Sequence, residues 1–437
     1  MNRQSSPLLP ALSLCLVALL AAPGARAELR IDITQGVTDP IAIAVVPFAR
    51  AVPADGGVDV AAVVQHDLES SGRFKSMART AMLTQPTTAA ALQAADWRAS
   101  GNDYVLIGRV SAAGAALQVD CELFNALTGL SLGSARFGSE SSASLRSAAH
   151  RVSDFVYEKI IGARGAFATR IAYVSVDGRA PSQTYQLIVA DSDGENPRII
   201  LTSRQPLMSP AWSADGQWLA YVSFEGNVSA IYVQQLRSGE RRRVSARVGV
   251  NGAPAWSPDG RRLALTLSGS SGNLDIYVLD LSTQALTRIT DDPAIDTEAE
   301  WTHDGKQLYF TSDRSGGPQI YLAEAVAGAR AQRITFGSSY NARARVAPDG
   351  RSLAFVTRDA TGYRIGLQDL GGNQRMLTRG TLDESPSFAP NGMSVIYAGR
   401  NGAQGVLATV STDGQVASRL HADEGEVREP VWGPFSN

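Results

Sequence analysis

From residue 170 onward the hydrophobic and polar positions repeat with a period of about 45 residues. Each copy has an apolar stretch that ends at a bulky anchor residue, a tight turn such as 257–260 (SPDG), and an alternating segment such as 219–223 that runs back. Pro fixes φ at the first central position of this turn and Gly takes the positive φ, so the turn joins two antiparallel strands. The anchors are Trp212, Trp256, Trp301, Val346, Phe388 and Trp432.

Two further strands follow in each copy, for example 231–235 and 241–245, separated by a polar turn. Four antiparallel strands in about 45 residues are typical of a propeller blade. A solenoid would explain the period equally well.

The ends of the repeat favour a closed propeller. Second strands begin at six positions, Ile171, Leu219, Leu263, Leu308, Leu353 and Val395. The first copy has no inner strand before it, and the last anchor, in 429–435, has no second strand after it. We therefore expect the C-terminal strand to complete the first blade and close an all-β six-bladed propeller over 164–437, which removes free sheet edges.

Residues 28–163 lack the repeat and indicate a separate α/β domain. An apolar strand is predicted at 41–46, and strands at 104–110 and 117–124. Apolar residues at helical spacing predict one helix from Val60 that stops at Gly72 and another from about Leu145 that stops at Gly162. The sequence thus predicts two domains, with the α/β domain first.

The segment 28–40 precedes the first of these strands and alternates Leu29, Ile31 and Ile33 with polar residues. Two interpretations stay open from the sequence. The segment is either an edge strand of the N-terminal domain or a detachable strand that a partner captures.

The first 27 residues predict a cleaved secretory signal peptide, with an arginine, an apolar run and the small-residue pattern Ala25-Arg26-Ala27. Cleavage removes Cys15 and leaves Cys121 as the only cysteine, in a strand where we expect a small buried hydrophobic residue. The formal net charge of −2 gives no electrostatic reason to expect nucleic acid as a partner.

A search for catalytic chemistry finds no convincing set of residues. The four histidines are scattered and lack a zinc-ligand pattern, and His150 is expected on the polar face of its helix. Ser131 lies in a G-x-S-x-G match, but its context predicts a hairpin instead of a strand–turn–helix. The DSDG at 191–194 lacks the remaining ligands of a calcium loop and is expected to form a hairpin turn. We predict no catalytic residue, no metal site and no cofactor.

The loops that lead into the six inner strands are better candidates, because they converge at the mouth of the central channel. Their charges and amides exceed what turn formation requires, which favours a site for a polypeptide or another ligand. The loops are 206–210, 250–254, 296–300, 341–345, 382–386 and 426–430.

Several motifs together resemble the TolB family of the Tol-Pal system over 28–437. They are IAIAVVPF, DLESSGRF, GAFATRIAYV, PLMSPAWSADG, NGAPAWSPDG and LDESPSFAPNG. The resemblance implies a monomeric, non-enzymatic periplasmic adaptor that supports outer-membrane integrity and invagination at cell division. It implies that the propeller binds the lipoprotein Pal, that the N-terminal segment binds TolA, and that the protein is associated with membranes only through these partners. Bacteriocins that use the route would bind at the Pal site.

Carried over by position, the resemblance implies two sets of partner-binding residues. Those for Pal are Met208, Ser209, Asn251, Thr297, Glu298, Arg343, Glu384 and Arg428, and those for TolA are Glu28, Leu29, Ile31 and Ile33. The alternatives are a propeller-type periplasmic hydrolase and a propeller that binds a small ligand.

Overall fold

The computed structural model of the chain describes residues 29–51, 58–141, 144–269, 272–422 and 425–435. The predicted signal peptide and Glu28 lie outside these ranges. Within them, no helix combines the length and the apolar character needed to cross a membrane.

Among its described residues, the first part of the chain contains three α-helices, two short 3₁₀ helices (Arg79–Ala81 and Ala89–Ala91) and a mixed sheet. In chain order its elements are β1 (Leu29–Gln35), β2 (Ile41–Val45), β3 (Ala49–Arg50), α1 (Val60–Ser70), β4 (Phe74–Ser76), α2 (Ala94–Ala99), β5 (Tyr104–Ala113), β6 (Ala116–Asn125), β7 (Ser131–Ser139) and α3 (Leu145–Ile161). The predicted helices α1 and α3 are confirmed, whereas the short α2 was not predicted. Gly162 ends α3 with a φ of 85°, the left-handed conformation that glycine adopts without a steric penalty.

The N-terminal sheet has the strand order β4-β2-β5-β6-β7, with β3 beside β5. Its parallel centre explains the uninterrupted apolar run of β2, because a strand buried on both faces needs apolar side chains on both. Helices α1 and α3 pack on one face of the sheet, where Leu68, Leu106 and Val152 are fully buried in one core.

The propeller contains the remaining strands. They are β8 (Arg170–Asp177), β9 (Thr184–Asp191), β10 (Arg198–Ser203), β11 (Leu207–Trp212), β12 (Trp218–Ser223), β13 (Ala230–Gln235), β14 (Arg241–Ser245), β15 (Asn251–Trp256), β16 (Arg262–Ser268), β17 (Leu274–Asp280), β18 (Leu286–Arg288), β19 (Asp296–Trp301), β20 (Gln307–Ser312), β21 (Gln319–Glu324), β22 (Gln332–Arg333), β23 (Asn341–Val346), β24 (Ser352–Asp359), β25 (Gly362–Asp369), β26 (Gln374–Met376), β27 (Glu384–Phe388), β28 (Ser394–Asn401), β29 (Gln404–Ser411), β30 (Ala417–Ala422) and β31 (Glu426–Trp432).

These strands form six blades, as predicted. Blade 1 has the order β31-β8-β9-β10, and blades 2 to 5 each contain four consecutive strands, from β11 to β26. The C-terminal strand therefore closes the ring: β31 pairs antiparallel with β8, with Val427 opposite Ser175 and Trp432 opposite Ile171.

Blade 6 carries a fifth strand, which comes from the other end of the chain. Strand β1 pairs antiparallel with β30, so that the order is β1-β30-β29-β28-β27. The side chain of Thr34 donates a hydrogen bond to the Ala417 carbonyl at 3.1 Å, and Gln35 donates to the Gly414 carbonyl at 3.2 Å. The N-terminal segment is thus an edge strand, as one interpretation held. That interpretation is wrong about the sheet, because β1 joins blade 6 of the propeller and not the sheet of the N-terminal domain.

The tryptophan anchors pack between neighbouring blades, yet they differ in hydrogen bonding. The indole Nε1 of Trp301 donates to the Ala255 carbonyl at 3.1 Å, and that of Trp212 donates to the Val431 carbonyl at 3.2 Å. The indole Nε1 of Trp256 is buried but has no hydrogen-bond partner among the described residues.

Because neighbouring strands of a blade run antiparallel, the connections of each blade lie at two opposite ends of the propeller. Loops that enter the inner strands share one end, called here the mouth, with the connections between second and third strands. The turns between first and second strands and between third and fourth strands share the other end. The N-terminal domain contacts that other end, where Arg73 pairs with Asp413 and Asn391 donates to the Arg164 carbonyl at 2.9 Å. The mouth therefore faces away from the N-terminal domain.

Candidate functional site

Each inner strand has a bulge at the same place, three residues before its anchor. The residue there has a left-handed φ in all six strands, although none of the six is glycine: Ser209 (50°), Ala253 (43°), Glu298 (56°), Arg343 (57°), Ser385 (56°) and Glu429 (51°). The pairing register between the inner and second strands shifts at each bulge. Such a backbone costs about 1–2 kcal/mol per residue, and strained non-glycine positions of this kind cluster at functional sites.

The charged residues at these bulges meet across the channel. The guanidinium of Arg343, in blade 5, lies 3.3 Å from the Glu429 carboxylate of blade 1 and 3.9 Å from the Glu298 carboxylate of blade 4. Glu429 also accepts the backbone N–H of Ser209 at 2.6 Å. One network therefore links four of the six blades at the mouth.

A second ion pair lies two residues further along the inner strands, between Arg345 and Glu300 at 3.7 Å. Burial raises the pKa of Glu300, and the guanidinium of Arg345 opposes that shift. The described inner strands thus carry charged pairs at two levels of the channel, which favours a ligand that can form hydrogen bonds.

The structure places most of the predicted Pal-binding residues where a partner can reach them. Met208 is 41% exposed. Glu384 is exposed, and Arg428 is partly exposed and pairs with Glu426 at 3.3 Å. The hydroxyl of Thr297 lies 3.3 Å from that of Thr266.

Asn251 differs from the other predicted residues, because its side chain is fully buried. Its amide accepts from the Ser245 hydroxyl at 2.6 Å and from the Arg247 N–H at 2.9 Å, and it donates to the Arg247 carbonyl at 2.7 Å. Asn251 therefore shapes its loop, and the expectation that its side chain faces a partner does not fit this geometry. Sequence reasoning also missed Glu429, which the alignment of the repeats could have identified beside Glu298 and Arg343.

Large apolar side chains surround the charged network at the mouth. Among the described residues of the propeller, the exposed ones at this end are Met208, Val228, Val248, Val250, Ile295, Phe336 and Leu382. At the opposite end, Val326 and Leu370 are exposed, and Ile199 and Met376 are exposed on the outer strands β10 and β26. An apolar rim around a polar centre is a common feature of a surface that binds another protein.

The predicted TolA-binding residues lie on β1. The backbone of Leu29 pairs with Ala422 and that of Ile31 with Leu420. The side chain of Ile33 is 46% exposed. As the outermost strand of blade 6, β1 leaves one backbone edge unpaired by any described strand.

A buried charge cluster joins the two domains. On the N-terminal side, His150 (α3) is 2% exposed, and its Nδ1 lies 2.7 Å from the carboxylate of Asp67 (α1). On the propeller side, the turn after β9 brings Asp191 and Asp193 to the same point, where Arg146 pairs with both. The expectation that His150 lies on the polar face of its helix is wrong. Burial lowers the pKa of His150, but the surrounding carboxylates raise it to about 10.

The remaining chemical candidates behave as the sequence predicts. Ser131 begins strand β7 after a hairpin, and its hydroxyl donates to Glu122 at 2.7 Å. Cys121 is 4% exposed, and burial raises the pKa of its thiol to about 12, as expected for a small core residue. The segment 191–194 forms the turn between β9 and β10, with the Gly194 N–H donating to the Asp191 carbonyl at 2.9 Å.

Comparisons with known proteins agree with this architecture. The model of the TolB beta propeller domain matches residues 157–436, and that of the TolB amino-terminal domain matches residues 29–132. The Tol-Pal system protein TolB of Methylococcus capsulatus is 52% identical over 421 residues, which cover 95% of this chain and 96% of that protein. The Tol-Pal system protein TolB of Alcanivorax borkumensis is 52% identical over 427 residues, 97% of each chain.

A solved structure extends the comparison to three dimensions. The crystal structure of TolB from Acinetobacter baumannii matches with a TM-score of 0.85 at 40% identity, and the match covers 93% of this chain and 100% of that one. Two matching domains, near-complete coverage and a common fold lead to one conclusion: the chain belongs to the TolB family and is a component of the Tol-Pal system.

Proposed function

We propose that this protein is a monomeric periplasmic adaptor without enzymatic activity, which binds Pal at the mouth of the propeller and TolA through the segment 28–33. In this role it supports outer-membrane integrity and the inward movement of the envelope at division. The observation that carries the proposal is the arrangement of charged and apolar residues at the mouth. Strained inner strands hold a charged centre inside an apolar rim, on the end of the propeller that the N-terminal domain leaves free.

The composition of the mouth suits a folded protein partner. Apolar rim residues such as Met208, Ile295 and Phe336 offer area that a partner can desolvate, while Glu298 and Arg343 offer charge that fixes its orientation. A bacteriocin that uses the Tol route would compete with Pal for the same surface.

The role of β1 rests on its position at a sheet edge. An edge strand can leave its sheet without opening a core, and a strand can be captured by a partner through its backbone. Pairing with β30 and capture by TolA exclude each other if they use the same backbone groups. We propose that occupation of the mouth by Pal favours the released segment, so that the two binding events are coupled.

The binding experiment measures Pal affinity by titration calorimetry with residues 28–437 and the soluble part of Pal. Glu298→Ala, Glu384→Ala and Ile295→Ala should each weaken Pal binding about tenfold or more, because they remove charge or apolar area from the mouth. Leu370→Ala is the matched control, an exposed apolar residue at the opposite end. Equal effects of Ile295→Ala and Leu370→Ala would contradict the assignment of the mouth.

The coupling experiment titrates TolA with and without saturating Pal. Deletion of 28–33 should abolish TolA binding and preserve Pal binding, and Pal should strengthen the binding of TolA to the intact protein. Equal TolA affinities in the two titrations would leave the protein a passive tether with independent sites. Hydrolysis of peptides, esters or lactones by the purified protein would contradict the absence of enzymatic activity.

A further inference from the structure

The crevices between neighbouring blades differ from one another at the end opposite the mouth. In blades 2 to 6 the turn between the first and second strands contains a glycine with a left-handed φ, and these glycines are Gly216, Gly260, Gly305, Gly350 and Gly392. Side chains of the preceding blade lie against four of the five glycines. Gly260, in blade 3, is the exception, because a Cβ placed on it would meet no described atom within 4 Å.

The crevice between blades 3 and 4 shows what normally fills this space. Arg262 of blade 3 donates to the Gly305 carbonyl at 3.0 Å, and its guanidinium lies 4.6 Å from the ring centroid of Trp301. The ring of Pro258 would lie 3.6 Å from a Cβ on Gly305. An arginine and a proline of one blade therefore fill the crevice beside the next blade, and we call this pair the plug.

The crevice between blades 1 and 2 contains the same plug. Arg170 donates to the Gly216 carbonyl at 2.9 Å and lies 5.1 Å from the ring centroid of Trp212. The ring of Pro434 would lie 3.2 Å from a Cβ on Gly216. In both crevices the guanidinium is held by a glycine carbonyl and by the face of a tryptophan anchor, through a hydrogen bond and a cation–π contact.

The crevice between blades 2 and 3 lacks both parts of the plug. In the aligned repeats, Ala214 occupies the position of Pro258, and Trp218 occupies the position of Arg262. An indole cannot replace the guanidinium, since it has a single N–H donor and no charge. The Gly260 carbonyl accordingly accepts no hydrogen bond from the residues that the structure describes.

The missing plug leaves a cleft of about 750 Å³, which is lined by Trp218, Trp256 and Gly260. Trp256 is only partly buried, and none of the described guanidinium groups stacks on its ring, whereas Trp212 and Trp301 each have one. The cleft thus contains an anchor ring without a guanidinium and a glycine carbonyl without a donor. These are the two groups that hold the arginine in the filled crevices.

The charges of the cleft favour a cationic group. The carboxylates of Asp215, Asp259 and Asp280 line the cleft and outnumber its guanidinium groups, which belong to Arg242 and Arg261. Each carboxylate accepts backbone N–H groups of its own turn through Oδ1. A cation that enters the cleft can pair with the other oxygen of Asp215 or Asp259, so the turns stay intact.

We propose that the cleft between blades 2 and 3 binds a segment of a partner protein that carries an arginine and a proline, so that the partner supplies the missing plug. The guanidinium stacks on Trp256, donates to the Gly260 carbonyl and pairs with an aspartate of the cleft. The proline ring packs against Gly260 beside Ala214, as prolines pack in other aromatic-lined grooves. The cleft lies at the end opposite the mouth, so this inference does not depend on Pal binding.

The probe is a copy of the plug, the acetylated and amidated peptide SPDGRR, which has the sequence of residues 257–262. Residues 28–437 labelled with 5-fluorotryptophan report its binding, because each tryptophan gives its own fluorine resonance. The resonances of Trp218 and Trp256 should shift in a saturable titration up to about 10 mM, a range that suits the weak binding of a short peptide, and those of the other tryptophans should not shift. Replacement of the final arginine of the probe by citrulline, its uncharged isostere, should weaken binding about tenfold or more.

Trp218→Arg supplies the missing arginine from the protein itself and should weaken probe binding about tenfold or more, followed by the Trp256 resonance. Ser352→Arg is the matched control, because Ser352 occupies the equivalent position in blade 5 and the variant adds the same charge to another crevice. This control should bind the probe like the parent protein. Ala214→Pro is a second variant that keeps Trp218 in place. It should also weaken binding, and its Tm should equal or exceed that of the parent, because Pro258 occupies the same turn position in blade 3.

Four results would overturn the proposal. They are unchanged resonances of Trp218 and Trp256 in the presence of the probe, equal binding of the arginine and citrulline peptides, equal probe affinities of Trp218→Arg and Ser352→Arg, and a shift of these resonances by triacetylchitotriose but not by the peptide. The last result would assign the cleft to a sugar.

Discussion

The tryptophan anchors allow a paired measurement of what one buried indole hydrogen bond contributes to the stability of the propeller. Trp301 is 4% exposed, its Nε1 donates to the Ala255 carbonyl, and the Arg262 guanidinium lies 4.6 Å from its ring centroid. Trp256 occupies the equivalent position one blade earlier, without an indole hydrogen bond among the described residues. We compare Trp301→Phe with Trp256→Phe, because both replace an indole by a phenyl ring.

The change in ring volume is common to the two variants, but Trp301 is buried whereas Trp256 is only partly buried, so the loss of packing is greater at Trp301 and adds to the difference. Trp301→Phe also removes a hydrogen bond worth about 0.5–1.5 kcal/mol, and it leaves the Ala255 carbonyl in the core with one donor fewer. A phenyl ring attracts the guanidinium of Arg262 less strongly than an indole does, which adds a few tenths of a kcal/mol. We expect the free energy of unfolding to fall by about 2 kcal/mol more for Trp301→Phe than for Trp256→Phe.

Thermal unfolding followed by circular dichroism measures this difference. At about 2–4 °C per kcal/mol for a large domain, the Tm of Trp301→Phe should lie roughly 4–8 °C below that of Trp256→Phe. Replacement by Ala should cost about 3–5 kcal/mol at either position, because each ring fills space between blades. Equal Tm values for the two Phe variants would refute the argument that the hydrogen bond distinguishes the anchors.

Three further predictions test closure, electrostatics and strain. Deletion of 426–437 exposes the edge of β8 and opens the ring, so the product should aggregate or become protease-sensitive; a stable monomer in sedimentation would contradict closure. Burial raises the pKa of Asp154 to about 6, so the contribution of this carboxyl to the stability of the folded state is fully present below about pH 3 and is lost as the pH rises through 6. Urea unfolding should therefore show that the stability of the parent relative to Asp154→Asn falls by about 2 kcal/mol between pH 4 and pH 7, and a constant difference would contradict the shift. Ala253→Gly should stabilise the protein or leave it unchanged, because it relieves a φ of 43°, whereas Ala255→Gly should destabilise it by about 1 kcal/mol; equal urea midpoints would contradict the strain at Ala253.

The repeat explains how much of the fold could be predicted from the sequence. Apart from β31 in blade 1 and β1 in blade 6, each blade consists of contacts between residues fewer than 50 positions apart, so its turn residues, alternation and anchors recur along the chain. Ring closure was predictable because the two incomplete copies match. The helices α1 and α3 were predictable from their periodicity and, for α3, from its terminal glycine.

The candidate site was predictable only in part. The convergence of six loops identified the mouth, and the family resemblance identified Glu298 and Arg343. The contact of Arg343 with Glu429 joins residues on blades that are not neighbours, and no local pattern shows which charges meet across a channel. The burial of Asn251 likewise depends on how its loop folds over the amide.

The sequence by itself determined the blades, the closing strand and the α/β character of the first domain, because these depend on turns, alternation and periodicity within short stretches. Tertiary structure alone decided which edge receives β1, since its alternating pattern suits any open strand and only the packing of the domains brings it beside β30. Tertiary structure also decided the environment of His150. Its neighbours Asp67, Asp191 and Asp193 come from two domains, and they meet only because the turn of blade 1 lies against α1 and α3.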